Sequence, residues 1–551
     1  MQLSRRHFTQ LSLAALASAC APNGAGRDLL LHGGPIYTGV SAQPRVEALR
    51  VQRGNIVFAG ALEEARAGAS GARVIDLGGA AAFPGLIDSH VHLSGVGIAV
   101  MVLDLVGAPS IAAMQASLAE YARAHPDGSI VGRGWIETHW PEGRFPTRSD
   151  LDGVVSDRPV FLERIDGHAA VANSAALALA GIEAGTADPE GGRIERDASG
   201  APTGMLIDNA ASIVQARFPA PTPTQRREAL RQAAQIYAGR GWTGVANMST
   251  SAEEAALFQE FAAAGALPLR ADIYLTPEDS EEVYRRGPYG EGLVHVRGVK
   301  LYMDGALGSR GAALLAPYSD APGSGLLVTP IEEIAAHLRR AREGGAQVAA
   351  HAIGDRGNRM VLDAFAGAFA DDPAALSAAR WRVEHAQVVS PRDLPRFARM
   401  GVIASMQPSH AISDLYFAPS RLGPDRLRGA YAWKSLLDSG ATIAAGSDAP
   451  VERGEPLIEF YAAAHRHALD GHAGLDWRLE EAVSREQALA MLTRGGAFAT
   501  FSERARGTLE IGKRADISVF SVDLMQAPFD EIPHAQAVLT VCDGAITHEA
   551  L

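Results

Sequence analysis

Short apolar runs recur through the second half of the chain, each followed by a longer amphipathic stretch. Residues 299–303, 346–350, 381–384, 402–406 and 442–445 read as buried strands. The stretches between them carry helix-start signals. Thr329-Pro330-Ile331-Glu332 combines a capping Thr, a Pro in the first turn and an acid three residues on. Thr222-Pro223-Thr224-Gln225 and Ser484-Arg485-Glu486-Gln487 do likewise, and Ser390-Pro391 opens another helix. Strands alternating with helices predict a parallel sheet covered by helices. Closed into a barrel, such a sheet brings the ends of all its strands to one rim, where residues far apart in sequence converge.

The two ends of the chain are patterned differently. Residues 28–38 and 46–60 predict strands joined by tight turns, with Arg53-Gly54-Asn55 as one turn. Residues 516–522 and 537–542 repeat this style. Neither end alone can bury a stable sheet, so the two are expected to pair into one composite β-sandwich. The expected organisation is an address segment over 1–26, the first part of the sandwich over 27–83, a barrel over 84–500 and the second part over 501–551. A Gly- and Pro-rich stretch without clear period, around 134–223, predicts an insertion over the barrel mouth.

The address segment is read from Ser4-Arg5-Arg6-His7-Phe8, which resembles a twin-arginine export signal. The apolar stretch 11–19 follows, too short to span a bilayer, and then Leu16-Ala17-Ser18-Ala19-Cys20, which resembles a lipobox. The expectation is an exported protein, periplasmic or anchored by lipid on Cys20. With Cys20 lipidated, Cys542 is the only remaining thiol and no intrachain disulfide can form. The net charge of −13 and the lack of a basic stripe exclude a nucleic-acid footprint.

Candidate chemistry collects at the strand ends. His90 and His92 stand two apart, so in a strand both face one side; they suit a metal or a packed core pair. Lys300 lies in an apolar run. An ammonium buried there is costly. It pairs with an acid such as Asp304, or as a neutral amine it takes up carbon dioxide to give a carbamate able to bridge two cations. His351 and His385 each close a run, and imidazole suits zinc and related ions. Asp448 follows residues 443–447 and is read either as a ligand that shuttles protons or as a turn residue before Pro450.

The ordered set His90, His92, Lys300, His351, His385 and Asp448 resembles the amidohydrolase superfamily, from residues 74–76 to 507–516. Three segments resemble its family 3 branch, which includes N-substituted formamide deformylase-like proteins. They are Gly132-Arg133-Gly134-Trp135, then Asp166-Gly167-His168-Ala169-Ala170-Val171-Ala172-Asn173-Ser174, and residues 299–310 with Asp304-Gly305-Ala306-Leu307-Gly308-Ser309-Arg310. The resemblance implies an α/β fold, a (β/α)8 TIM-like barrel with a composite β-sandwich. It implies one or two divalent ions, most simply zinc, held by the six residues with Lys300 carboxylated.

The expected reaction is hydrolysis of a small amide-type C–N bond by a metal-activated hydroxide, with Asp448 passing the water proton to the leaving nitrogen. An esterase, lactonase or phosphoesterase could use the same site, and an exported metal- or ligand-binding protein without turnover is the alternative of another class. Trp135, His139, Asp166, His168, Arg310 and His410 are candidate substrate contacts. Each also suits an ordinary role in packing or loops.

Overall fold

A computed structural model describes residues 28–551 apart from 475 and 476 and the side chain of His139. The export signal and Cys20 lie outside the described residues. Eight parallel strands form the frame: β1 (Leu86–Val91), β2 (Trp242–Thr250), β3 (Arg270–Leu275), β4 (Val294–Tyr302), β5 (Gln347–Ala352), β6 (Arg382–His385), β7 (Ile403–Met406) and β8 (Ile443–Ala445). They neighbour one another in sequence order, the arrangement of a TIM-like barrel. Register aligns the site residues at one end, with Tyr302 opposite His351 and Ala352 opposite His385.

The barrel closes between β8 and β1. The Asp448 N–H donates to the His90 carbonyl at 2.7 Å. Asp88 accepts from the Ser447 N–H at 2.9 Å and the Ser447 hydroxyl at 2.5 Å. Gly446 permits this approach, since a Cβ there would lie 2.3 Å from the His90 nitrogen. The barrel interior is polar in one layer: Tyr274 donates to Gln347 at 2.7 Å, and the fully buried Arg382 reaches the Ser89 carbonyl, Ser405 and Glu384.

The chain's two ends join in one eight-stranded sheet. Ala81–Pro84 pairs antiparallel with Ile517–Phe520, uniting N-terminal and C-terminal strands over a shared apolar core that includes Leu31, Leu49, Ile517 and Leu539. The pairing traces one hydrogen-bonded path with a branch where Arg73–Asp76 pairs with Leu29–Tyr37, and does not itself divide the sheet into two facing layers.

Between β1 and β2 the chain builds a six-stranded sheet, from Leu103–Asp104 to Pro202–Asp208. The region read as an aperiodic insertion over 134–223 is therefore a sheet with its own core, and its first strand lies ahead of Gly134. Pro223 instead opens the helix Pro223–Gly239 that leads into β2. Short strands rich in Gly and Arg, such as Ile130–Trp135, show no clean alternation for sequence reading to detect. Capping boxes form at Thr222 and Ser484. The helix Ile331–Gly344 has Pro330 rather than Thr329 at its N-cap, and Ser390-Pro391 gives a turn before the helix Leu394–Met400.

Arg270 at the foot of β3 ties the terminal sheet to the barrel, 2.8 Å from Asp516 and 2.6 Å from Asp543. Asp516 is 3% exposed. Arg270→Ala strands a buried carboxylate and should cost about 3–5 kcal/mol. Denaturant unfolding checks this; a shift below about 1 kcal/mol would mean that apolar packing alone docks the sheet.

Candidate metal centre

The C-terminal ends of the strands carry the site. Asp448, just past β8, lies at its middle. Its Oδ1 stands 3.4 Å from Nε2 of both His90 and His92. Its Oδ2 stands 3.7 Å from His385 Nδ1 and 3.6 Å from His410 Nε2. The His351 ring packs 4.6 Å from that of His385, centroid to centroid. His385 and Asp448 both take positive φ, 74° and 57°, a backbone that non-glycine residues rarely adopt and that clusters at functional sites.

Three of the imidazoles are held from behind. His90 Nδ1 meets Glu384 at 2.6 Å, His385 Nδ1 meets the Gln407 side-chain oxygen at 2.8 Å, and His410 Nδ1 meets the Gln387 side-chain nitrogen at 2.8 Å. Burial and then the Lys300 ammonium pull His90 down to about 4. Burial, then His168, hold His351 well below its ordinary value, and burial, then His351, do the same for His385. Burial pushes Asp448 up, but His90, His92 and His385 outweigh it and keep the carboxyl well below the usual range. Neutral imidazoles beside an ionised carboxylate are the forms that bind metal.

Lys300 is 1% exposed, and its ammonium lies 4.2 Å from the Tyr302 ring centroid. Among the described residues no carboxylate lies within ion-pair distance of it. Asp304, the acid that could have paired it, instead accepts backbone N–H bonds from Ala313, Ile353 and Gly354 at 2.8–2.9 Å. The donor set fits a divalent cation. Nε2 of His90, His351 and His410 is buried without a hydrogen-bond partner. The sets His90–His92–Asp448 and His385–His410–Asp448 each bring their ligand atoms within 4.8 Å of one another.

Two cavity lobes meet over this centre. The larger, about 500 Å³, is walled by Arg133, Glu163, Asn209, Tyr302 and Val328. The smaller, about 220 Å³, is walled by Ile136, Leu307, Phe417, Asp414 and Glu452. Asp166, His168, His351, His385 and Asp448 line both. His410 lines the smaller lobe. Burial pulls His168 down, but Asp208, 2.6 Å from its Nδ1, outweighs it and raises it to about 9. Asp166 is held by the buried Arg164 at 2.5 Å.

Two sequence candidates are corrected. Trp135 is fully buried in the core of the inserted sheet and donates to the Leu162 carbonyl at 2.7 Å, so it packs and lines neither lobe. Arg310 pairs with Asp320 at 2.9 Å, which occupies its guanidinium, and it too lines neither lobe. The His139 side chain lies outside the described residues. Sequence reading missed Glu384, Gln387, Gln407 and Asp208. Glu384 adjoins His385, and a carboxylate beside a candidate ligand was the available signal; the others gave none.

Residues 73–548 match the Amidohydrolase family. The chain belongs to that family. This amidohydrolase is 34% identical over 531 residues to amidohydrolase YtcJ of Bacillus subtilis (strain 168), covering 94% of this chain and 99% of the relative. It is 29% identical over 552 residues to the N-substituted formamide deformylase of Arthrobacter pascens, covering 95% and 98%. Among solved structures, an uncharacterized metal-dependent hydrolase from Pyrococcus horikoshii OT3 superposes with a TM-score of 0.74 at 28% identity, covering 91% of this chain and 99% of that one. The amidohydrolase is thus a hydrolase acting on carbon–nitrogen bonds.

Glu384 sets the orientation of His90, so Glu384→Gln should weaken the affinity for a divalent ion about 10–100-fold while leaving every candidate ligand in place. Competition against a chelator measures this. Unchanged affinity would show that Glu384 serves only Arg382.

Proposed function

We propose that this chain is an exported amidohydrolase that cleaves the amide-type C–N bond of a small N-acyl or N-formyl substrate. The observation that carries the reading is Asp448, ringed by His90, His92, His385 and His410 at the junction of the two lobes. His90, His92, Lys300, His351, His385 and Asp448 would hold one or two divalent ions, most simply zinc. A bound ion would supply an activated water and polarise the substrate carbonyl.

The residues divide the remaining work. Asp448 accepts the proton of the attacking water and returns it to the leaving nitrogen, so that the C–N bond breaks to a carboxylic acid and an amine. Glu384, Gln407 and Gln387 hold the imidazoles in place. As a carbamate, Lys300 would add anionic oxygen ligands for the ions; its burial without a carboxylate partner among the described residues, while Asp304 is committed to backbone, supports that role. The two lobes suit a compact substrate, since small-molecule sites span about 300–1,000 Å³. The likeness to a protein named N-substituted formamide deformylase points the same way. Export rests on Arg5-Arg6, the apolar stretch after them and the small residues before Cys20, where lipid would attach.

Chelation should abolish turnover and zinc restore it. Asp448→Asn, assayed with saturating zinc, should lose at least about 10²-fold in kcat while remaining folded. A competition among small N-acyl amides, matched esters and extended peptides tests the bond. Cleavage confined to esters would replace the amide assignment with an esterase or lactonase using the same residues. Cleavage confined to long peptides would defeat the small-substrate reading.

The export reading has its own test. Arg5→Lys with Arg6→Lys should retain the protein inside the cell, and Cys20→Ser should release it from membranes. Cell fractionation reads both; unchanged fractions would remove the signal and the anchor respectively.

A further inference from the structure

His168 stands in the turn just before the strand Ala169–Ala172 of the inserted sheet, not in the barrel, yet it lines both lobes together with His351, His385 and Asp448. It therefore stands at the junction of the two lobes, beside the residues that surround Asp448. Its ring centroid is 5.2 Å from that of His351.

Three features fix it there. Asp208 Oδ1 takes His168 Nδ1 at 2.6 Å, and the Asp208 N–H donates to the His168 carbonyl at 2.8 Å, so the two residues are clamped by side chain and backbone alike. The His168 N–H is in turn bonded to Asp166 at 3.1 Å, and Asp166 is anchored by Arg164. Asp208 itself has φ of 49°, a strained backbone for a residue with a Cβ. Its carboxylate sits against two glycines of the loop after β4: a Cβ on Gly305 or Gly311 would lie 2.6 or 2.7 Å from Oδ2. That oxygen is buried and has no hydrogen-bond partner. Among the described residues His168 is the only cationic side chain within ion-pair distance of Asp208. A buried carboxylate needs a counter-charge, and with Nδ1 engaged the remaining N–H of the imidazolium, on Nε2, is available to the cavity.

We propose that His168, positioned by Asp208, hydrogen-bonds through Nε2 to the carbonyl oxygen of the scissile group and stabilises the oxyanion formed when water adds. This rests on the hydrolytic reading of the site above and adds to it a residue from outside the barrel. It also gives Gly305 and Gly311 a role, since they leave room for Asp208.

The test uses zinc-loaded full-length protein. His168→Leu should lower kcat about 10²–10³-fold with KM within a few-fold and zinc content unchanged. His168→Gln, which keeps an N–H near the Nε2 position, should recover part of the loss. Asp208→Asn and Gly305→Ala, which loosen or crowd the clamp, should each lower kcat about tenfold. The loss should be equal for anilide and alkylamide substrates, and binding of a tetrahedral phosphinate analogue should weaken by a similar factor. Zinc loss in His168→Leu would make it a ligand instead. A rise in KM alone would make it a distal recognition residue. A loss that grows with leaving-group basicity would make it a proton donor. Any of these, or unchanged kcat and phosphinate affinity, overturns the proposal. Absence of amide or ester turnover by the wild type counts against the hydrolytic reading itself, and phosphinate binding still decides the role of His168.

Discussion

The site depends on a buried chain of charge running through the barrel: Arg382 to Glu384 at 2.6 Å, and Glu384 to His90 at 2.6 Å. All three side chains are fully buried. Burial pushes Glu384 up, but Arg382 and His90 outweigh it and bring it down to about 2. An ion pair withdrawn from water adds little net stability, because desolvation offsets most of the attraction. What it supplies is direction. Glu384 can take its hydrogen bond only from the ring nitrogen of His90 that faces it, which leaves the other nitrogen aimed at Asp448. Arg382 extends the same constraint to Ser89 and Ser405, linking β1, β6 and β7.

Against that frame the inserted sheet is a second, independent support. Its core of Trp135, Leu162, Val171 and Ile207 packs without barrel residues, so it carries His168 to the mouth as a unit. Barrel and insertion meet at Asp208, whose carboxylate rests on the glycines of the loop after β4. The same loop opens with Asp304, which binds the backbone before the helix Asp355–Ala368 and so braces the turn after His351. One loop therefore aligns His351 of the barrel and His168 of the insertion.

The sequence by itself carried much of this. Alternating apolar runs and capping signals pointed to the parallel strands, since strands buried on both faces are mostly apolar. Of the six residues read together because each sits at or near the end of such a run, the structure gathers His90, His92, His385 and Asp448 around one point. The pairing of the two chain ends was legible because neither could form a sheet alone.

Tertiary structure decided the rest. Trp135 and Arg310 looked equally able to touch substrate, and only packing shows one in a core and the other bound to Asp320. The sheet between β1 and β2 escaped notice because its strands are short and broken by glycine and arginine, so local periodicity is too weak to reveal it. Glu384, Gln407 and Asp208 act through partners up to 294 residues away. A sequence pattern reports what a residue's own strand or helix requires. Which side chain stands opposite it across a barrel, or against another sheet, is set by packing between elements, and no local pattern encodes that distance.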